Sequence, residues 1–105
     1  MANVGHWQGS WEGSPYLQPG QSHTWWFVHS SWDVQSLARI GMQLNVTAHP
    51  GVFGVYTPPP PVQLTVENIR SRINADYGRV LHFNVRNTGP NSVAFYFVAV
   101  SWIDK

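Results

Sequence analysis

Nowhere in this chain do apolar residues recur at helical spacing over the roughly ten positions a helix needs, whereas a period of two returns repeatedly. Nine Gly and eight Pro cut the sequence into short segments. The best helical stretch, Ser31 to Ile40, aligns only Trp32, Leu37 and Ile40, enough for a single turn. The pattern therefore predicts an all-β chain. The expected form is an antiparallel β-sandwich, Ig-like or jelly-roll-like, of about seven to nine short strands. At 105 residues the chain suits one domain, 1–105, with one hydrophobic core.

Individual segments carry this reading further. Residues 1–16 are rich in Gly, Ser and Trp and read as an N-terminal arm or an edge strand. Pro19-Gly20 is a turn signal. From Ser22 to Ser30, Thr24, Trp26 and Val28 alternate with His23, Trp25, Phe27 and His29, so both faces carry large rings. From Arg39 to His49, Ile40, Met42, Leu44 and Val46 point one way and Gly41, Gln43, Asn45 and Thr47 the other, as in a half-buried antiparallel strand. Residues 57–61 form a Pro-rich connection within the domain. Its four prolines, Pro58 to Pro61, lack backbone donors and favour an extended link between sheets or between halves of one core. Val93 to Ile103 is apolar on both faces, which predicts a central strand or one covered by a partner.

Val62, Leu64 and Val66 alternate, and a hairpin follows. Its apolar residues are Ile69 and Ile73 on one strand and Leu81, Phe83 and Val85 on the other. Asp76-Tyr77-Gly78 suits a three-residue loop. That loop pairs Ala75 with Arg79, Ile73 with Leu81 and Arg72 with His82, and gathers Arg70, Arg72, His82, Asn84 and Arg86 on one face.

Leu64-Thr-Val-Glu-Asn-Ile69, then Val80-Leu-His-Phe-Asn-Val-Arg-Asn-Thr-Gly89, then an aromatic strand, resembles the opening strands of bacterial immunoglobulin-like sandwiches of the cell-adhesion-related CARDB type. The resemblance covers about residues 62–102. Leu17-Gln-Pro-Gly-Gln-Ser22 resembles another phrase of those domains, although here it precedes the Asn-Thr-Gly strand where in the family it follows. The resemblance implies a structural, adhesive or ligand-binding role and supplies no catalytic residues.

Composition excludes several function classes. Only 10% of residues are charged, the net charge is +1, and the single Lys is the last residue. With a sequence pI near 8.2, no basic stripe for nucleic acid is visible. The absence of cysteine removes disulfides, Cys-based zinc sites and thiol catalysis, and leans towards a reducing compartment or a bacterial source. The N-terminus does not read as a signal peptide, and no apolar run approaches the roughly 20 residues that span a membrane. The compartment stays open between the cytoplasm and secretion after signal removal.

The five acidic residues form no glycosidase-like pair in sequence, and no Gly-x-Ser-x-Gly elbow exists. The five His show no metal-ligand spacing. His23 and His29 on one strand would stand roughly 20 Å apart. The expectation is therefore a non-enzyme, without cofactor or metal. Asn45-Val46-Thr47 matches a glycosylation acceptor, a motif frequent by chance.

The anomaly is aromatic. Six Trp stand at 7, 11, 25, 26, 32 and 102. Core packing accounts for Trp102 and one of Trp25 and Trp26. Trp7, Trp11 and Trp32 lie in Gly- and Ser-rich context, where a ring beside polar groups suits stacking on a sugar. The expected function is a non-catalytic, carbohydrate-binding, lectin-like module with a glycan site at His6, Trp7, Trp11, Glu12 and Trp32. The alternative is a structural or adhesive Ig-like module acting through protein contacts. A homo-oligomer is expected, because one small core cannot cover the apolar surface of Ser22–Ser30 and Val93–Trp102.

Overall fold

A computed structural model describes residues 3–27, 43–54, 58–74 and 78–104. The single-turn helix expected at Ser31–Ile40, Trp32, and the hairpin tip at 75–77 lie outside these residues. The described residues are all β, with six strands rather than the seven to nine expected: β1 (Asn3–Leu17), β2 (Ser22–Phe27), β3 (Gln43–Gly51), β4 (Leu64–Asn74), β5 (Gly78–Asn87) and β6 (Val93–Asp104). Two of them are long: β1 runs for 15 residues and β6 for 12.

The strands form two antiparallel three-stranded sheets, ordered β1-β6-β3 and β2-β5-β4. β6, apolar on both faces, is central in the first sheet, and β5 is central in the second. Only the β4–β5 hairpin stays within one sheet, so the connection containing Pro58–Pro61 passes from the first sheet to the second. The core lies between the sheets. Tyr96, Val98, Val100 and Trp102 come from β6, Leu81, Phe83 and Val85 from β5, and Leu17, Phe27 and Val46 from the outer strands.

Two polar devices join the sheets. Gln18 to Gln21 makes a β-turn closed by Gln21 N–H to the Gln18 carbonyl at 3.0 Å. Gly20 there has φ +87°, the left-handed geometry of a type II turn with Pro at its second position. The fully buried Asn87 amide donates to the carbonyls of Leu17 and Asn91, both at 2.9 Å, and accepts from Gly89 N–H at 3.0 Å. One side chain thus ties the end of β1 to the β5–β6 crossover.

The hairpin register differs from the expected one. Asn74 pairs with Gly78, so the connection has three residues but is slid by one position. Arg72 faces Val80, Ile73 faces Arg79, and Arg70 is the residue that faces His82. The cause is a bulge. Val66 pairs with Val85 in the core, and between Glu67 and Arg70 one extra residue enters β4, with Asn68 at φ 55°. Asn is among the few side chains that tolerate this conformation. A single bulge residue cannot supply the larger offset that pairing Arg72 with His82 requires. Ile69, expected in the core, lies in the bulge and is 51% exposed.

Candidate functional site

Alternation distributes the aromatic residues over three surfaces. On the inner side of β1 stand Gly5, Trp7, Gly9, Trp11 and Gly13, all half-buried, while His6, Gln8, Ser10 and Glu12 are exposed on the outer side. The expected site residues therefore do not converge. Trp7 packs on Trp25 and Phe27, with ring centroids 6.4 and 5.0 Å away. Trp11 packs on His23 and Tyr96, at 4.6 and 5.6 Å. His6 and Glu12 stand on the opposite face of the strand, and Trp32 lies outside the described residues. The space beside the β1 glycines holds the protein's own rings. A Cβ at Gly5 would collide with Trp102, one at Gly9 with Trp7, and one at Gly13 with Trp11.

The inner aromatic group is closed by a hydrogen-bonded triad. Trp25 Nε1–H donates to the Tyr96 hydroxyl at 2.8 Å, and that hydroxyl lies 2.7 Å from His23 Nδ1. Indole can only donate. The arrangement that satisfies all three groups therefore has the Tyr96 proton directed at His23 Nδ1, leaving the His23 proton on Nε2. Burial holds His23 below the usual imidazole range, which keeps it neutral for this role. Burial also pushes the Tyr96 phenol up to about 12, against the opposing effect of the Trp25 bond. The triad is a structural lock between the sheets.

The second surface is the outer face of the β1-β6-β3 sheet. Register places Phe97 between Ser10 and His49, Ala99 between Gln8 and Thr47, and Ser101 between His6 and Asn45. Phe97, Ile103 and the nearby Phe53 are exposed large hydrophobics. Phe53 packs against Phe95 at 4.8 Å.

The third surface is the outer face of the β2-β5-β4 sheet, and its chemistry is different. Three rows cross it. Trp26, His82 and Arg70 form one, Thr24, Asn84 and Glu67 the next, and Ser22, Arg86 and Thr65 the third. Trp26 is 59% exposed. His82 Nε2 and Asn84 Oδ1 are both covered by neighbouring atoms and have no hydrogen-bond partner. A covered polar atom without a partner is costly and rare in a native fold, and these two stand on neighbouring rows of one sheet face. Burial, followed by the charges of Arg70 and Arg72, holds His82 below the usual imidazole range. Arg86 is committed elsewhere, bonding Glu67 at 2.6 Å and the Gly20 carbonyl at 2.8 Å.

The sequence pointed to part of this cluster, since alternation together with the expected hairpin loop gathers Arg70, Arg72, His82, Asn84 and Arg86 on one face. Trp26 was missed as a site residue because its neighbour Trp25 looks identical in composition. Only the sheet's inside and outside separate them. Among the described residues no three His, Asp or Glu come together to hold a metal ion, and no helix is long and apolar enough to cross a membrane. Comparison with family models, curated proteins and solved structures finds no match to this chain.

Proposed function

We propose that this protein is a non-catalytic carbohydrate-binding module whose sugar site is the outer face of the β2-β5-β4 sheet. The supporting observation is the exposed Trp26 ring in register with His82, beside Asn84, with His82 Nε2 and Asn84 Oδ1 both lacking partners. An indole face stacks on the apolar side of a pyranose, and a few placed polar atoms then bind its hydroxyls. His82 and Asn84 supply one nitrogen and one carbonyl oxygen for that purpose, on the rigid central strand of a sheet. Titration of Trp fluorescence with a broad oligosaccharide panel tests the reading. Binding that Trp26→Ala abolishes without changing the melting temperature supports it. The absence of a response to every sugar rejects it.

A second reading rests on the other sheet. Phe97, Ile103 and Phe53 are exposed on or beside the β1-β6-β3 face, which favours protein contacts and self-association. A solution mass above that of one chain at tens of micromolar, returning to one chain in Phe97→Ser, supports it. A monomer at that concentration rejects it.

A further inference from the structure

The charge on the proposed sugar face is unbalanced in a specific place. Among the described residues its guanidinium groups are Arg70, Arg72 and Arg86, and its single carboxylate is Glu67. Glu67 is taken by Arg86. Arg70 donates one bond to the Asn68 carbonyl at 2.8 Å, a neutral acceptor that leaves its charge uncompensated, and Arg72 is exposed. The bulge at Asn68 is what produces this arrangement, because it brings Arg70 level with His82 and keeps Arg72 on the same face one step further along.

Resting on the carbohydrate reading, we infer that the ligand of this face is an acidic saccharide, with its pyranose ring on Trp26 and its carboxylate or sulfate held by Arg70 and Arg72. Two inter-strand spacings separate Trp26 from Arg70, roughly 10 Å, the span of a short oligosaccharide rather than a single substituent. Two arginines on alternate positions of one strand stand about 7 Å apart at the backbone, close enough for both planar forks to converge on one anion. His82 and Asn84 lie between the two anchors and meet the hydroxyls. The same two arginines lower the readiness of His82 to take a proton, and an anion bound between them offsets that field.

The test compares matched ligands on the full chain: a neutral oligosaccharide, its uronate counterpart, its sulfated counterpart, and polyglutamate. The expected result is uronate or sulfated binding at least about tenfold tighter than neutral, weakening with added salt as an exposed ion pair does. Comparison of the uronate and sulfated arms identifies the anion. Arg70→Gln and Arg72→Gln should remove that preference and leave the melting temperature unchanged, whereas Trp26→Ala should weaken acidic and neutral sugars alike. Neutral sugar binding as tightly as acidic overturns this inference and leaves the carbohydrate reading intact. Polyglutamate binding as well as the uronate, with Trp26→Ala indifferent, also overturns it, in favour of an acidic peptide. No binding by any sugar overturns both.

Discussion

Trp25 and Trp26 are adjacent in the chain and lie on opposite sides of the same strand. Trp25 points between the sheets, stacks with Phe83 at a 3° interplanar angle, and donates its N–H to Tyr96. Trp26 points outward beside His82 and is mostly exposed. Inside, Trp25 Nε1–H and His23 Nδ1 share the Tyr96 hydroxyl as their partner. Outside, His82 and Asn84 each keep a covered atom without one. Two regions with the same residue types thus meet opposite standards of polar satisfaction. The lesson is that abundance of aromatics says little about a binding site, whereas an aromatic beside unsatisfied polar atoms says much more.

The largest effect expected from this contrast is on stability. Trp25→Ala should cost about 3 kcal/mol, the lower end for truncating a packed Trp because the ring is only partly buried. Denaturant unfolding measures it. A loss below about 1 kcal/mol would mean that the inner group is not a packed core.

Tyr96→Phe comes next. It keeps the ring but leaves Trp25 Nε1 and His23 Nδ1 without their shared partner, so the loss should be about 1–3 kcal/mol. An unchanged midpoint would show that the triad contributes nothing net and would erase the inside–outside contrast.

Titration sharpens the comparison. Burial holds both His23 and His82 below the ordinary imidazole value of 6.5, with the charges of Arg70 and Arg72 adding to the effect at His82. A histidine with a lowered folded value binds fewer protons folded than unfolded. Stability is therefore highest above 6.5 and falls as the pH drops from there through the folded values. The two regions separate in a ring-resolved NMR titration. Arg70→Gln with Arg72→Gln should raise the His82 value and leave His23 in place, since only His82 feels those guanidinium charges. A bound uronate should do the same.

The smallest effect belongs to Trp26→Ala, which should alter stability by no more than about 0.5 kcal/mol, as expected of an exposed side chain. A loss comparable to that of Trp25→Ala would identify Trp26 as structural and remove the aromatic half of the proposed site.

Alternation made much of the fold legible. β6 is apolar at both parities and is central in its sheet, and the inward Leu44 and Val46 and outward Asn45 and Thr47 of β3 follow the pattern directly. Pro19-Gly20 marked a turn that the structure contains. The hairpin register was less legible, because the three-residue connection allowed more than one offset. A signal for the bulge was nevertheless present: apolar parity switches from Val62, Leu64 and Val66 to Ile69 and Ile73 across Asn68, and a parity switch within one strand requires an odd insertion.

Local chemistry in the chain specified strands, turns and which residues share a face, because a strand's period and a turn's dihedrals depend on a few consecutive residues. It could not specify which face of each strand meets the other sheet where both faces carry rings. That choice came from packing. The glycines of β1 accept the Trp7, Trp11 and Trp102 rings on the inner side, which commits Gly5-Trp7-Gly9-Trp11 to the interior and His6 and Glu12 to solvent. The same pairing of distant strands set Trp26 on one side of His82 and, through one bulge at Asn68, Arg70 on the other. Contacts between residues dozens of positions apart depend on register, and register is an energy of the whole sheet rather than of any segment in it.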